Sequence, residues 1–139
     1  MVILKFDILT NPRPISSQKH HVGEKMEKCI FCGIINKKVA ANIIYEDDRV
    51  IAFRDVNPQA PVHILIVPKK HVATIMNLTS EDKDLIGEIY LVAQKLASQE
   101  SIAQCGFRIV ANCNADAGQG VFHIHFHLLG GRKLTWPPG

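Results

Sequence analysis

Val121-Phe-His-Ile-His-Phe-His-Leu-Leu-Gly-Gly131 places three of the chain's seven histidines at every second position. Side chains on extended backbone alternate between faces, so the pattern predicts a strand over 121–129. His123, His125 and His127 then project from one side, with Phe122, Ile124, Phe126 and Leu128 on the other. Two residues of strand rise about 6.6 Å, so the imidazoles form a row. The apolar face belongs to a core, and the opposite face is left for chemistry or for a hydrogen-bonded polar surface.

Two chemistries suit such a row. Neutral imidazoles commonly hold a catalytic metal. Same-face neighbours on one strand point nearly in parallel, however, whereas ligands must converge to about 2 Å from one ion. Alternatively, one imidazole is a nucleophile that its neighbours orient and supply with protons. Imidazole is substantially neutral near pH 7 and attacks without a separate activating base. The preceding loop, Asn112-Cys-Asn-Ala-Asp-Ala-Gly-Gln-Gly120, favours this second reading. Glycines at 118 and 120 let backbone N–H groups approach an anionic oxygen, and 112, 114 and 119 carry amide side chains.

Outward from the row, the chain reads as α+β. Cys29–Ile35 predicts a short helix or turn, and Ile43–Tyr45 and Arg49–Arg54 two strands split by Glu46-Asp47-Asp48. Asn57–Pro61 is a loop, because two prolines cannot sit inside a ladder. Val62–Val67 is a buried strand stopped by Pro68. From Thr79 to Gln99 the period changes: Leu85, Ile86, Ile89, Val92, Ala93 and Leu96 make one stripe at helical spacing. Thr79 or Ser80 caps this long helix, with acids in its first turn. Phe107–Ala111 and the histidine stretch complete an antiparallel sheet of about five strands.

A length of 139 residues fits one domain with a core of its own. The net charge is +3, of which residues 1–28 carry +2 (five basic residues against Asp7, Glu24 and Glu27). The remainder is near neutral and lacks a single-signed block, which argues against a nucleic-acid face. No stretch approaches 18 apolar residues, so no membrane span is expected. The apolar start Val2-Ile3-Leu4 is cut by Lys5 and Asp7 before a secretory signal develops. Four cysteines are too few for a disulfide scaffold, and reduced thiols in the cytoplasm are the expectation, with Cys105 and Cys113 as packing residues. Residues 1–28, with Asn11-Pro12-Arg13-Pro14 and a polar run, read as a disordered N-terminal extension to a domain over 29–139, and Met26 is an alternative start.

The pattern His123-Ile-His125-Phe-His127-Leu-Leu resembles the signature of the histidine-triad (HIT) nucleotide hydrolases and transferases. Ala52-Phe-Arg-Asp55, Pro58-Gln-Ala-Pro61, His63-Ile-Leu-Ile-Val-Pro-Lys-Lys-His71 and Gly130-Gly-Arg-Lys-Leu-Thr-Trp-Pro-Pro-Gly139 extend the likeness to the Hint branch. The resemblance implies a HIT-like fold that dimerises, and a nucleoside phosphoramidase acting on purine nucleoside monophosphate derivatives of AMP or GMP. It implies that His125 attacks phosphorus to form a nucleotidyl-histidine, that His123 and His127 flank it, and that His63 relays a proton to the leaving amine. Asp55 would take the ribose hydroxyls and Val56 pack near the sugar. Asn112, Gly118, Gln119 and Gly120 would form the phosphate-side loop, and Ile30 and Phe31 line the base pocket. Read without the resemblance, Asp55 is a turn acid ahead of Asn57-Pro58, and Ile30 and Phe31 are simple core.

Two features stand beside that pattern. Gly120 replaces the usual serine, which removes a hydroxyl donor and implies a slower enzyme or an altered leaving-group preference. Cys29-x-x-Cys32 has the spacing of a zinc knuckle, and the resemblance implies a structural zinc completed by His71 and His123. The alternative is two buried free thiols. Catalysis itself requires no cofactor. Other readings are a dinucleoside polyphosphate hydrolase, a nucleotidyl transferase, or a non-catalytic nucleotide-binding protein.

Overall fold

The computed structural model describes residues 28–139, so the extension and the alternative start at Met26 lie outside the described residues. The elements run α1 (Ile30–Ile35), β1 (Ile43–Glu46), β2 (Val50–Arg54), β3 (Val62–Pro68), two single 3₁₀ turns, α2 (Lys83–Gln99), β4 (Phe107–Val110) and β5 (Phe126–Gly130). The strands form one antiparallel sheet in the order β1-β2-β3-β5-β4. No helix among the described residues is long and apolar enough to cross a membrane.

The β1–β2 turn is set by Asp47, whose Oδ1 accepts the N–H groups of Arg49 and Val50 at 2.8 Å each. At the other end of the connection to α2, Thr79 and Asp82 cap each other reciprocally across the turn Ser80–Asp82. That first turn is 3₁₀, so the α-helix starts at Lys83 and not at Thr79.

All seven residues of β3 are buried, because the sheet is covered on both faces. Val62, Ile64 and Ile66 meet the stripe Leu85, Ile89, Val92, Ala93 and Leu96 of α2, with Phe126 and Leu128 beside them. Leu65 and Val67 face the other way with Ile51 and Phe53, under Phe31 and Ile34 of α1. Leu96 is 1% exposed within the first cluster. Leu96→Ala is expected to cost about 2–5 kcal/mol, read from the midpoint of urea unfolding; a cost under about 1 kcal/mol would mean that α2 is not seated as described.

Three details differ from the sequence reading. The histidine strand begins at Phe126 and not at Val121. The β3–β5 ladder ends at the pair Ile66↔Phe126; two residues further along β3, Pro68 has no N–H to offer, and its carbonyl takes the ring of His123 instead of backbone. Freed from the ladder, Phe122 turns outward and is 54% exposed. Pro68 is the last residue of β3, not a stop after it. Cys105 is exposed and so packs no core, whereas Cys113 is partly buried.

Candidate active site and metal cluster

On the α1 face of the sheet, β3 presents His63 and β5 presents His127 diagonally across the ladder, since His63 pairs with Leu129 and Leu65 with His127. Their rings touch: His63 Nε2 lies 2.9 Å from His127 Nδ1. The His125 and His127 rings are 5.1 Å apart, and Phe31 sets its edge against His125 with centroids 5.1 Å apart. The short helix α1 therefore closes the back of the site.

Hydrogen bonds assign the protons. His125 Nδ1 sits 2.8 Å from the carbonyl oxygen of His123, which only accepts. That nitrogen therefore carries the proton and Nε2 is a bare lone pair. His63 Nδ1 accepts the backbone N–H of Gln59 at 3.0 Å, so its proton is on Nε2 and is donated to His127 Nδ1. His127 consequently holds its own proton on Nε2. Adjacent rings thus offer opposite character, a nucleophilic nitrogen on His125 and a donor on His127.

Asp55 stands behind this pair. Its Oδ2 is 3.3 Å from His63 Nε2, while Oδ1 accepts the N–H of Asn57 at 2.8 Å. The carboxylate serves as the turn acid and also faces the His63–His127 pair. Burial pushes the pKa of His63 down, partly opposed by the charge of Asp55. Burial, then the imidazoles of His125 and His63, bring that of His127 to about 4. The pair is neutral at pH 7, and a proton on it needs an anion nearby.

The loop 112–120 is held by Gln119, which is buried. Its Oε1 accepts the N–H of Asn114 at 2.9 Å, and its Nε2 donates to the carbonyls of Ala73 and Val121 at 2.8 and 3.1 Å. Gln119 spends its side chain on shaping the loop and has no amide proton to offer a phosphate. Gly118 adopts φ +77°, a conformation natural for glycine. Gly120 is exposed, and Asn112 is partly so at the end of β4. Val56, 99% exposed beside Asp55, is an apolar side chain that the other described residues leave uncovered. Ile30 is half-exposed, whereas Phe31 is buried against Phe53 and the histidines.

His123 departs from its expected place beside the reacting group. It is fully buried. Its Nε2 donates to Pro68 O at 2.7 Å, and its Nδ1 lies 3.6 Å from both Cys29 Sγ and Cys32 Sγ and 3.1 Å from His71 Nδ1. Cys32 Sγ is 3.2 Å from His71 Nδ1. Toward His125, His123 presents its carbonyl and not its ring. The four donor atoms of Cys29, Cys32, His71 and His123 all lie within 4.8 Å of one another. Ligand atoms of a tetrahedral zinc site stand about 3.3–3.8 Å apart, close to the spacings found here. The Pro68 carbonyl holds the His123 proton on Nε2 and frees Nδ1 to ligate. Burial and the neighbouring Cys29 raise the Cys32 thiol to about 11.

Asp55, His63 and His127 also bring three donor atoms within 4.8 Å. Here the outer shell has the wrong polarity. The N–H of Gln59 occupies His63 Nδ1, and a metal on Nε2 would leave the ring without a proton. The hydrogen bonds of this triad suit proton transfer better than metal ligation.

The HIT domain family model matches residues 36–134. A HIT-like protein of Synechococcus elongatus is 49% identical over 113 residues, which cover 81% of this chain and 98% of that relative. The purine nucleoside phosphoramidase of Escherichia coli K12 is 47% identical over 108 residues, covering 78% of this chain and 91% of that protein. A crystal structure of a HIT family hydrolase from Legionella pneumophila superposes with a TM-score of 0.80 at 49% identity, over 81% of this chain and all of the other.

Proposed function

Since this chain belongs to the HIT domain family, whose members include hydrolases, we propose that it hydrolyses purine nucleoside phosphoramidates, derivatives of AMP or GMP, through a covalent nucleotidyl-His125 intermediate. The observation that carries this reading is the pair of opposed ring nitrogens, a lone pair on His125 Nε2 beside a proton on His127 Nε2.

The phosphoryl anion brings a proton to the neutral His63–His127 relay by offsetting the burial that keeps it off. His125 Nε2 forms a bond to phosphorus as the phosphorus–nitrogen bond breaks. The departing nitrogen takes the proton from His127 Nε2, because amines leave poorly without one. His125 Nδ1–H stays on the His123 carbonyl and steadies the positive imidazole. Water then attacks phosphorus, its proton returns to the relay, and His125 is released. Asp55 and the exposed Val56 take the ribose end, and the backbone N–H of Gly120, with Asn112, takes the phosphate; the N–H groups of Gly118 and Gln119 are spent inside the loop on the carbonyls of Ala115 and Asn114 at 2.9 and 3.1 Å. Cys29, Cys32, His71 and His123 hold a structural zinc, which ties α1 to the sheet. Tyr90 and Leu91, half or more exposed on α2, favour a homodimer.

The deciding experiment compares kcat/KM for adenosine 5′-phosphoramidate and diadenosine tetraphosphate. Preference for the phosphoramidate supports the reading, and preference for the polyphosphate transfers it to a dinucleoside polyphosphate hydrolase. A Cβ at Gly120 would meet nothing within 4 Å, so a side chain is accommodated there. Gly120→Ser is expected to raise kcat up to about tenfold by adding a hydroxyl donor to the phosphate side. Unchanged kinetics would remove the idea that the missing hydroxyl limits the rate.

A further inference from the structure

We propose that Arg132 is a positioning residue for the reaction, acting on the tautomer of His63 by fixing residue Gln59 through its carbonyl. This rests on the proposed roles of His125 and His127. The Arg132 guanidinium reaches the Gln59 carbonyl with Nε at 3.2 Å and Nη2 at 3.0 Å, while Nη1 donates to the carbonyl of Lys133 at 3.0 Å. The N–H of the same residue, Gln59, is the donor to His63 Nδ1. The Gln59 side chain donates in turn to Asn57 O at 3.1 Å. Residue 59 is thus fixed at its carbonyl, its N–H and its side chain, and its N–H is the group that keeps the His63 proton on Nε2.

The delivery of Arg132 to this loop is built into the end of β5. Gly131 has φ +86°, and a Cβ there would lie 2.9 Å from Pro61 Cβ. Only glycine lets the chain turn that closely over Pro61 and bring the next residue's fork onto the 57–61 loop. Arg132 itself lines a groove with Ser101, Ile102 and Gly106, apart from the histidine pocket. It acts on the reaction without touching substrate.

Without the clamp, the Gln59 N–H no longer holds His63 in one tautomer. When the His63 proton moves to Nδ1, Nε2 no longer donates to His127, and the proton destined for the leaving amine loses its place. The test uses the full chain, with wild type, Arg132→Ala and Arg132→Lys. Long-range ¹H–¹⁵N correlation spectra report the His63 tautomer. Turnover is measured on an alkylamine phosphoramidate of AMP and on its 4-nitrophenyl ester, whose leaving group needs no proton. Arg132→Ala should convert His63 to a tautomer mixture and lower kcat on the phosphoramidate about tenfold, with KM within about twofold and the ester unaffected. Arg132→Lys, which keeps one donor, should recover part of the loss. An unchanged His63 tautomer, an equal loss on both substrates, or no loss on either overturns the proposal. If wild type turns over neither substrate, the proposed function falls and the tautomer alone decides the role of Arg132.

Discussion

His125→Ala is expected to abolish hydrolysis of adenosine 5′-phosphoramidate, with kcat lowered by at least about 10⁴-fold, as for loss of a covalent nucleophile. Among the described residues, neither other histidine of the row can replace it. His123 is fully buried with both nitrogens engaged, and His127 Nδ1 is occupied by His63 while its Nε2 bears the proton. The variant retains the relay, Asp55 and the loop, so nucleotide binding should persist. Loss of turnover with binding intact is the signature of a missing nucleophile, whereas joint loss is that of a damaged pocket. Intact mass after a quench without acid should show the adenylyl adduct on wild type alone. An adduct on His125→Ala, or turnover within tenfold of wild type, would move the covalent bond to another group. A wild type that binds AMP and neither turns over nor forms an adduct would make the chain a nucleotide sensor.

Much of this was legible because the decisive patterns are periodic. The stripe from Leu85 to Leu96 gave α2, and the uninterrupted apolar run Val62–Val67 marked a strand covered on both faces. The alternation at 123, 125 and 127 marked the histidine row but gave the wrong strand limits, since β5 begins at Phe126. Period two describes side chains and not ladder partners, and it carried no information that Pro68 would end the pairing. The same blindness misplaced Phe122. The Cys29-x-x-Cys32 spacing and His71 read as one cluster only through a family resemblance, since 39 positions separate Cys32 from His71. Long-range convergence of that kind leaves no local mark. Nor did the side chain of Gln119 announce that it would serve loop backbone and not ligand, and the fork of Arg132 on Gln59, 73 positions away, had no signal at all.

Cys32→Ser is expected to remove zinc from the protein and to lower its stability more than any single change at the histidine pair. Wild type prepared without chelator should carry about one zinc per chain by elemental analysis, and the variant close to none. Cys32 lies on the buried side of α1 and is 4% exposed, and burial beside Cys29 pushes its thiol up to about 11, so metal binding must displace a proton and strengthens as pH rises. Structural zinc sites contribute their binding energy to folding. Loss of even about 3 kcal/mol of it lowers Tm by about 10 °C or more in a domain of this size. A chelator should bring wild type down to the variant's Tm and leave the variant where it is. That pattern separates loss of metal from the cost of placing a hydroxyl in a buried site, which a chelator cannot deepen. Turnover should fall as well, and by less than in His125→Ala. The carbonyl that orients the nucleophile belongs to His123, and without metal that residue is still held by Pro68. Wild type that carries no zinc and melts identically with and without chelator would make Cys29 and Cys32 ordinary core thiols, with the His123 ring held by the Pro68 carbonyl and by hydrogen bonds within the cluster.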